Sequence, residues 1–376
     1  MHYFAAKPTP LIRFFKLNDP YRLLAILLFL LVTRVGAILL ENPFTYVQQE
    51  SESIGQFVND GGLVIESLGP TNAGPLYALF YGLITYISQD TAIISAVLSA
   101  LFVFLQAFLL NTILIRLAAF NDNSYVPAII YAVLMSTSPE LMTLGPEMVS
   151  ITFVLIGLNY LLTHLKYRGS EENIISTGFT FGLAALFAKA AFFFLPFTIL
   201  IYLLYSSTLN RRYFLFAFGF GMPFVLMWLY YFWNGAGADF WSGYMSQLVH
   251  IEGKGLVLHQ NLLAWAALPV LMALVAAAQN FTGVGMTNNQ IQIQRTMLWM
   301  GIFGMIYYLI SANGSFSEFI WIMPATTYFI TLLLNSIQKP ALAEGLLQIL
   351  LWAGLYIAFV PMIDEALAPF LMTGLK

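Results

Sequence analysis

Cysteine is absent from the 376 residues, which excludes disulfides, thiol nucleophiles and Cys-ligated metals. Charge is scarce as well. Only 9% of the residues are Asp, Glu, Lys or Arg, whereas soluble domains carry about a quarter. The net charge of −3 is too small and too dispersed for a nucleic-acid partner. No linker, low-complexity tract or internal repeat stands out, and no stretch is long and polar enough to fold as a separate soluble domain. HExxH, GxSxG, Walker A and GxGxxG in strand–helix context are missing too, so metalloprotease, hydrolase and nucleotide-motor readings have no motif behind them.

What fills the chain is apolar. Hydrophobic residues make up 60% of it and the mean hydropathy is +0.79, which places it among all-α polytopic membrane proteins. Residues 1–22 form a basic N-terminal segment with Lys7, Arg13, Lys16 and Arg22 against Asp19. Leu11, Phe14, Phe15 and Leu17 among these cations point either to an interfacial helix or to a plain cytoplasmic tail. Residues 23–376 read as a single membrane domain. Its first run, 23–40, has a basic flank and Val35-Gly36-Ala37 near its end, as a signal peptide does. Arg34 beside that site and the many later spans favour an uncleaved first helix.

The longest polar interruption is 41–75, with Glu41, Glu50, Glu52, Asp60 and Glu66 and no Lys, Arg or His. A purely acidic loop between membrane segments belongs outside the cytoplasm. Later apolar runs fall at 75–89, 92–117, 126–139, 148–165, 173–188, 190–206, 213–233, 262–279, 297–312, 319–335 and 341–363. If 75–89 crossed, Lys166, Arg168, Arg211 and Arg212 would all lie outside. If it stays at the outer interface or re-enters, the four N-terminal cations, Arg116, those same four residues, Arg295 and Lys339 lie inside, eleven of the fifteen Lys and Arg. The expectation is therefore about eleven spans, with the N-terminus cytoplasmic and the C-terminus outside. This topology puts Glu140, Glu147, Asp239, Glu252 and Glu318 on the same outer surface as the first loop. Function is expected there, since the cytoplasmic loops are short. The aromatic clusters flanking 235–261 read as interfacial anchors before sugar-stacking platforms.

Two cations stand inside the membrane, Arg34 and Lys189, and an ionisable group there is costly unless it is paired or solvated. Both face the acidic outer side, where each has the chemistry to hold a phosphate or to pair with a loop acid. An outer-loop carboxylate has the chemistry to take a proton from an acceptor hydroxyl, or to hold a divalent cation beside a phosphate leaving group. His250, Glu252 and His259 share one loop, but their spacing follows no metal pattern. A solvated loop is the plainer reading of them.

An ordered series from 34 to about 205 resembles the GT-C superfamily of membrane glycosyltransferases, which use polyprenyl-phosphate-linked sugars. The series runs from Arg34 through the acidic loop and Gly61-Gly62 to GPLYALFYGLI, then AVLSALFVFLQAFLLNTILIRL. It continues with AIIYAVLMSTSPELMTLGPEMVSITFVLIGLNYL and TGFTFGLAALFAKAAFFFLPFTILIYLL. Residues 206–376 add further apolar helices. A closer likeness is to a group of inner-membrane proteins of the Bacteroidota. The GT-C resemblance implies a helical bundle with interfacial or re-entrant helices in the first outer loop and a polyprenyl-phosphate sugar as donor. It implies Glu147, or Glu140, as the second-loop acid and Lys189 as the hairpin cation. The position of the family's first-loop Asp-Glu pair falls near Val47 and Gln48, neither of which is a base, and Glu50 and Glu52 stand close by. The resulting expectation is a glycosyltransferase of the bacterial inner membrane. Glu50, Glu52 and Glu147 are its catalytic candidates, Arg34 and Lys189 its phosphate ligands, and membrane lipids and envelope proteins its partners. A non-catalytic GT-C-shaped subunit of an envelope complex is the alternative. A transporter is a third, disfavoured by the paucity of acids in mid-membrane.

Overall fold

The computed structural model describes residues 10–16, 19, 21–39, 46–61, 71–88, 91–167, 170–205, 210–245, 260–280, 283, 285–310 and 316–373. Glu41, Glu66, Arg168, His250, Glu252 and His259 lie outside this set. The helices are α1 (Pro10–Lys16), α2 (Tyr21–Leu39), α3 (Tyr46–Asn59), α4 (Pro75–Ile87), α5 (Thr91–Arg116), α6 (Val126–Leu134), α7 (Pro139–Met142), α8 (Pro146–Tyr167) and α9 (Glu171–Phe187). After a 3-10 turn at Lys189–Phe193 come α10 (Phe194–Tyr205), α11 (Asn210–Trp233), α12 (Gln260–Gln279), α13 (Asn288–Ile310), α14 (Met323–Ser336) and α15 (Pro340–Thr373). Among the described residues the one departure from helices, turns and bends is an isolated antiparallel bridge, Ala73 to Ala188. Among the described residues four helices are long and apolar enough to cross a membrane, at Tyr21–Ile38, Thr91–Arg116, Pro146–Tyr167 and Arg211–Trp233. The chain is thus all-α and of membrane-spanning character.

Hydrogen bonds between distant segments sort the loops into two ends. At one end, Arg116 donates to Asn159 and Thr163 at 2.5 and 2.7 Å, and Asn289 donates to the Leu117 carbonyl. Tyr125 N–H donates to Phe15 O, and Arg211 pairs with Glu171 at 3.1 Å. Helix α1 belongs to this end. Its seven residues are too few to hold a helix alone, and the buried Glu344 carboxylate accepts from its first free N–H groups, Leu11 and Ile12, at 3.2 and 2.9 Å. Arg13, Lys16, Arg22, Arg116, Lys166, Arg211, Arg212, Arg295 and Lys339 therefore share one end.

Helix α4 stays at the other end. Thirteen residues span about 20 Å, short of a hydrocarbon core of about 30 Å. Both of its termini are tied to the same side of the bundle. Gly74 N–H donates to Phe187 O, Asn59 on α3 reaches Thr85, and Thr91 just beyond α4 donates to Glu52.

Glycines set the closest helix approach. Gly178 and Gly182 on α9 are spaced as in a small-xxx-small face, and a Cβ on either would sit 2.4 Å from the Phe216 or Phe220 carbonyl oxygen of α11. Gly219 on α11 returns the contact, because a Cβ there would lie 2.4 Å from Ile175 O. Gly221, two residues on, has nothing within 4 Å. Gly219→Ala is expected to destabilise the purified protein in detergent by about 1–3 kcal/mol through overpacking. Gly221→Ala should be neutral or stabilising by up to about 1 kcal/mol. Equal melting temperatures for the two variants would contradict this packing.

Candidate functional site

Helix α3 is amphipathic, and its spacing divides the acidic end in two. Val47, Ser51 and Ile54 recur every three or four residues and are buried. Ser51 Oγ shares a 2.7 Å hydrogen bond with Tyr77 OH, which donates to Leu144 O at 3.0 Å. This buried seam fixes the rotation of α3. Glu50 then faces one flank, while Gln48 and Glu52 face the other.

On the Glu50 flank, residues 71–74 zip against 187–190. Lys189 N–H donates to Asn72 O at 2.9 Å, Ala190 N–H to Asn72 Oδ1 at 2.9 Å, and Gly74 N–H to Phe187 O at 2.8 Å. Gly74 is obligatory, since a Cβ would meet Leu186 O at 2.1 Å. The Asn72 amide also donates to Glu147 Oε1 at 2.6 Å. Glu147 stands in the first turn of α8, behind Pro146, where the helix dipole favours a carboxylate. It is only 4% exposed. A single asparagine therefore joins the first loop, the start of α8 and the turn that carries Lys189.

Glu50 completes the group. Burial pushes its carboxyl up to about 7, and the nearby Glu147 charge pushes the same way. A hydrogen bond from Thr71 and the Lys189 ammonium pull against that rise. Glu50, Glu147 and Lys189, named from sequence on three separate segments, thus act on one another. Glu140 adds to the negative potential at Glu147 and accepts from Ser317 N–H at 3.1 Å. That contact brings in the buried Glu318, 1% exposed, from the C-terminal half, which no motif singled out.

Glu52 and Arg34 do not join this group. Glu52 accepts from Thr91 Oγ1 at 2.5 Å and Gln48 Nε2 at 3.4 Å, which ties α3 to α5. Arg34 is 1% exposed and donates to Ser99 Oγ at 2.9 Å, Ser136 Oγ at 3.2 Å and Met135 O at 3.0 Å. It lines a cleft of about 50 Å³ whose walls include Ala37, Gln48, Ala92, Ser95, Met142 and Leu144. Arg34 and Lys189, expected from sequence to hold one phosphate, rest on different partners here, the Arg34 guanidinium on Ser99, Ser136 and Met135 and the Lys189 backbone on Asn72. Among the described residues no three His, Asp or Glu side chains gather as a metal-holding group. Asn72 and Thr71, which organise the site, were overlooked in sequence. The available signal was a polar pair held between Pro70 and Gly74.

No protein-family model matches the chain, and no curated protein matches it.

The fold favours the neutral Glu50 carboxyl, because its value lies above the ordinary 4.5. Its contribution to stability is therefore present below about 4.5 and lost as pH rises through about 7. In lipid nanodiscs, the infrared band of this protonated carboxyl, identified by its loss in Glu50→Gln, should titrate near pH 7. Glu147→Gln removes a like charge and should lower the midpoint, and Lys189→Met removes an attraction and should raise it. A wild-type midpoint at the ordinary value, unmoved by either substitution, would show that the three groups do not act on one another.

Proposed function

We propose that the chain is a GT-C-like glycosyltransferase of the bacterial inner membrane, moving a sugar from a polyprenyl-phosphate donor to an acceptor hydroxyl at the outer face. In this reading the basic end faces the cytoplasm and about eleven segments cross, with α3 and α4 lying at the outer interface. The observation that carries the proposal is the meeting of Glu50, Glu147 and Lys189 at one end of the bundle. Glu50, poised near neutral pH, takes the proton of the acceptor hydroxyl as its oxygen attacks the anomeric carbon. The bond from that carbon to the phosphate oxygen breaks with inversion, and the electron pair leaves on the polyprenyl phosphate beside Lys189. Glu147, held by Asn72, orients the acceptor.

The second reading, a non-catalytic subunit or scaffold of an envelope complex, is favoured by the small cleft at this end, about 50 Å³, whose lining holds none of Glu50, Glu147 and Lys189. Small-molecule sites commonly enclose about 300–1,000 Å³.

The experiment is complementation of a deletion strain, read as recovery of the missing envelope glycan or glycolipid. Glu50→Gln and Glu147→Gln keep size and hydrogen bonding and should fail to complement, with activity lower by about a hundredfold or more. Glu52→Gln still accepts from Thr91 and should complement. Full complementation by all three leaves the scaffold reading in place. Topology has its own test, which the absence of native cysteine makes direct. Cysteine at the exposed Ser53 should react with an impermeant maleimide in intact spheroplasts, and cysteine at the exposed Asn123 should not. Reaction at Asn123→Cys would reverse the orientation.

A further inference from the structure

The Arg34 guanidinium lies on the far flank of α3 from Glu50, and its surroundings are unusual for a buried cation. Its three hydrogen-bond partners, Ser99 Oγ, Ser136 Oγ and Met135 O, are all neutral, and among the described residues no carboxylate pairs with it. The serines are themselves committed, since Ser99 Oγ donates to Met142 O at 2.5 Å and Ser136 Oγ to Ala132 O at 2.8 Å. A guanidinium has five N–H donors; three are used here, so two remain. Among the described residues a full positive charge is thus held by dipoles alone, which is costly without a counter-charge.

Arg34 also lines an open cleft of about 50 Å³. At roughly 10–15 Å³ for each water position, that is room for a few water-sized groups: one phosphate or carboxylate head, too little for a sugar. Ala37 and Ile38 on α2 and Ala92 and Ala96 on α5 give the cleft apolar walls, and Gln48, Ser95 and Thr143 add polar ones. Glu50, Glu147 and Lys189 are absent from the lining of this cleft.

The geometry points to a second site in this protein, an anion site at Arg34 between α2, α3 and α5 that takes a single phosphate group. The remaining donors supply a charge-assisted fork, and the anion neutralises the buried guanidinium. The phosphate comes either from a phospholipid headgroup, whose glycerol and acyl carbons lie along the alanine-lined walls, or from the free ion. The site does not depend on sugar transfer and involves neither Glu50 nor Lys189.

The test uses the full chain in detergent and two probes, phosphatidate with phosphatidylcholine as control, and inorganic phosphate. Native mass spectrometry is expected to show one phosphatidate retained in preference to phosphatidylcholine. Arg34→Gln and Ala92→Leu, which fills the cleft and leaves the arginine, should each weaken that retention by about tenfold or more. Lys189→Gln should leave it unchanged, so a failure of the transfer reading is separable from a failure here. If inorganic phosphate raises the melting temperature of wild type but not of Ala92→Leu, and phosphatidate is not retained, the free ion is the occupant. If neither probe binds, or if both bind Ala92→Leu and Arg34→Gln as they bind wild type, the site does not exist.

Discussion

The acidic end of this protein depends on the hydrogen bonds of one residue, Asn72. Its backbone carbonyl and side-chain oxygen accept from Lys189 and Ala190, while its amide donates to Glu147. Irregular backbone at the margin of a membrane domain is tolerated only where its polar groups find partners in the protein. Asn72 supplies them for two loops at once. The bond to Glu147 also places an acceptor-only carboxylate at the start of a helix, where unsatisfied N–H groups and the dipole already favour negative charge. Glu50 then enters a region whose potential is set by Glu147 on one side and Lys189 on the other.

Helix α3 turns this arrangement into two separate environments. Its buried stripe is locked against Tyr77 and Leu144, and residues two positions apart on a helix point about 200° apart. Glu50 and Glu52 therefore cannot serve the same site, although they are near neighbours in sequence. Glu52 has become a strut to Thr91. Gln48 lines the Arg34 cleft, on the flank of α3 away from Glu50.

The rest of the bundle holds that end in place by close packing. Helices α9 and α11 meet at glycines with backbone against backbone, a contact that lipid cannot replace. Helix α6 is short and buried along its whole length, and Tyr131, Gln106 and Thr152 link it through α5 to α8. At the opposite end Glu344 holds α1 by its free N–H groups, so the first and last described helices close the same surface.

The sequence alone determined the class and the ends. Apolar runs required helices, and the clustering of Lys and Arg marked one end of the bundle as basic, because charge must stay in water whichever way the helices pack. It also marked Glu50, Glu147 and Lys189, since a charge near apolar runs is rare enough to notice. The choice between Glu50 and Glu52 was decided only by tertiary structure, because it rests on the rotation of α3, which Ser51 and Tyr77 fix from outside the helix. The surroundings of Arg34 were decided in the same way. Sequence marks Arg34 as a cation within an apolar run, and only the packing of α2 against α5 and α6 shows that it meets serines and a carbonyl. Asn72 was illegible in sequence for the same reason: an amide has no charge to draw notice, and its role lies wholly in partners more than seventy residues away.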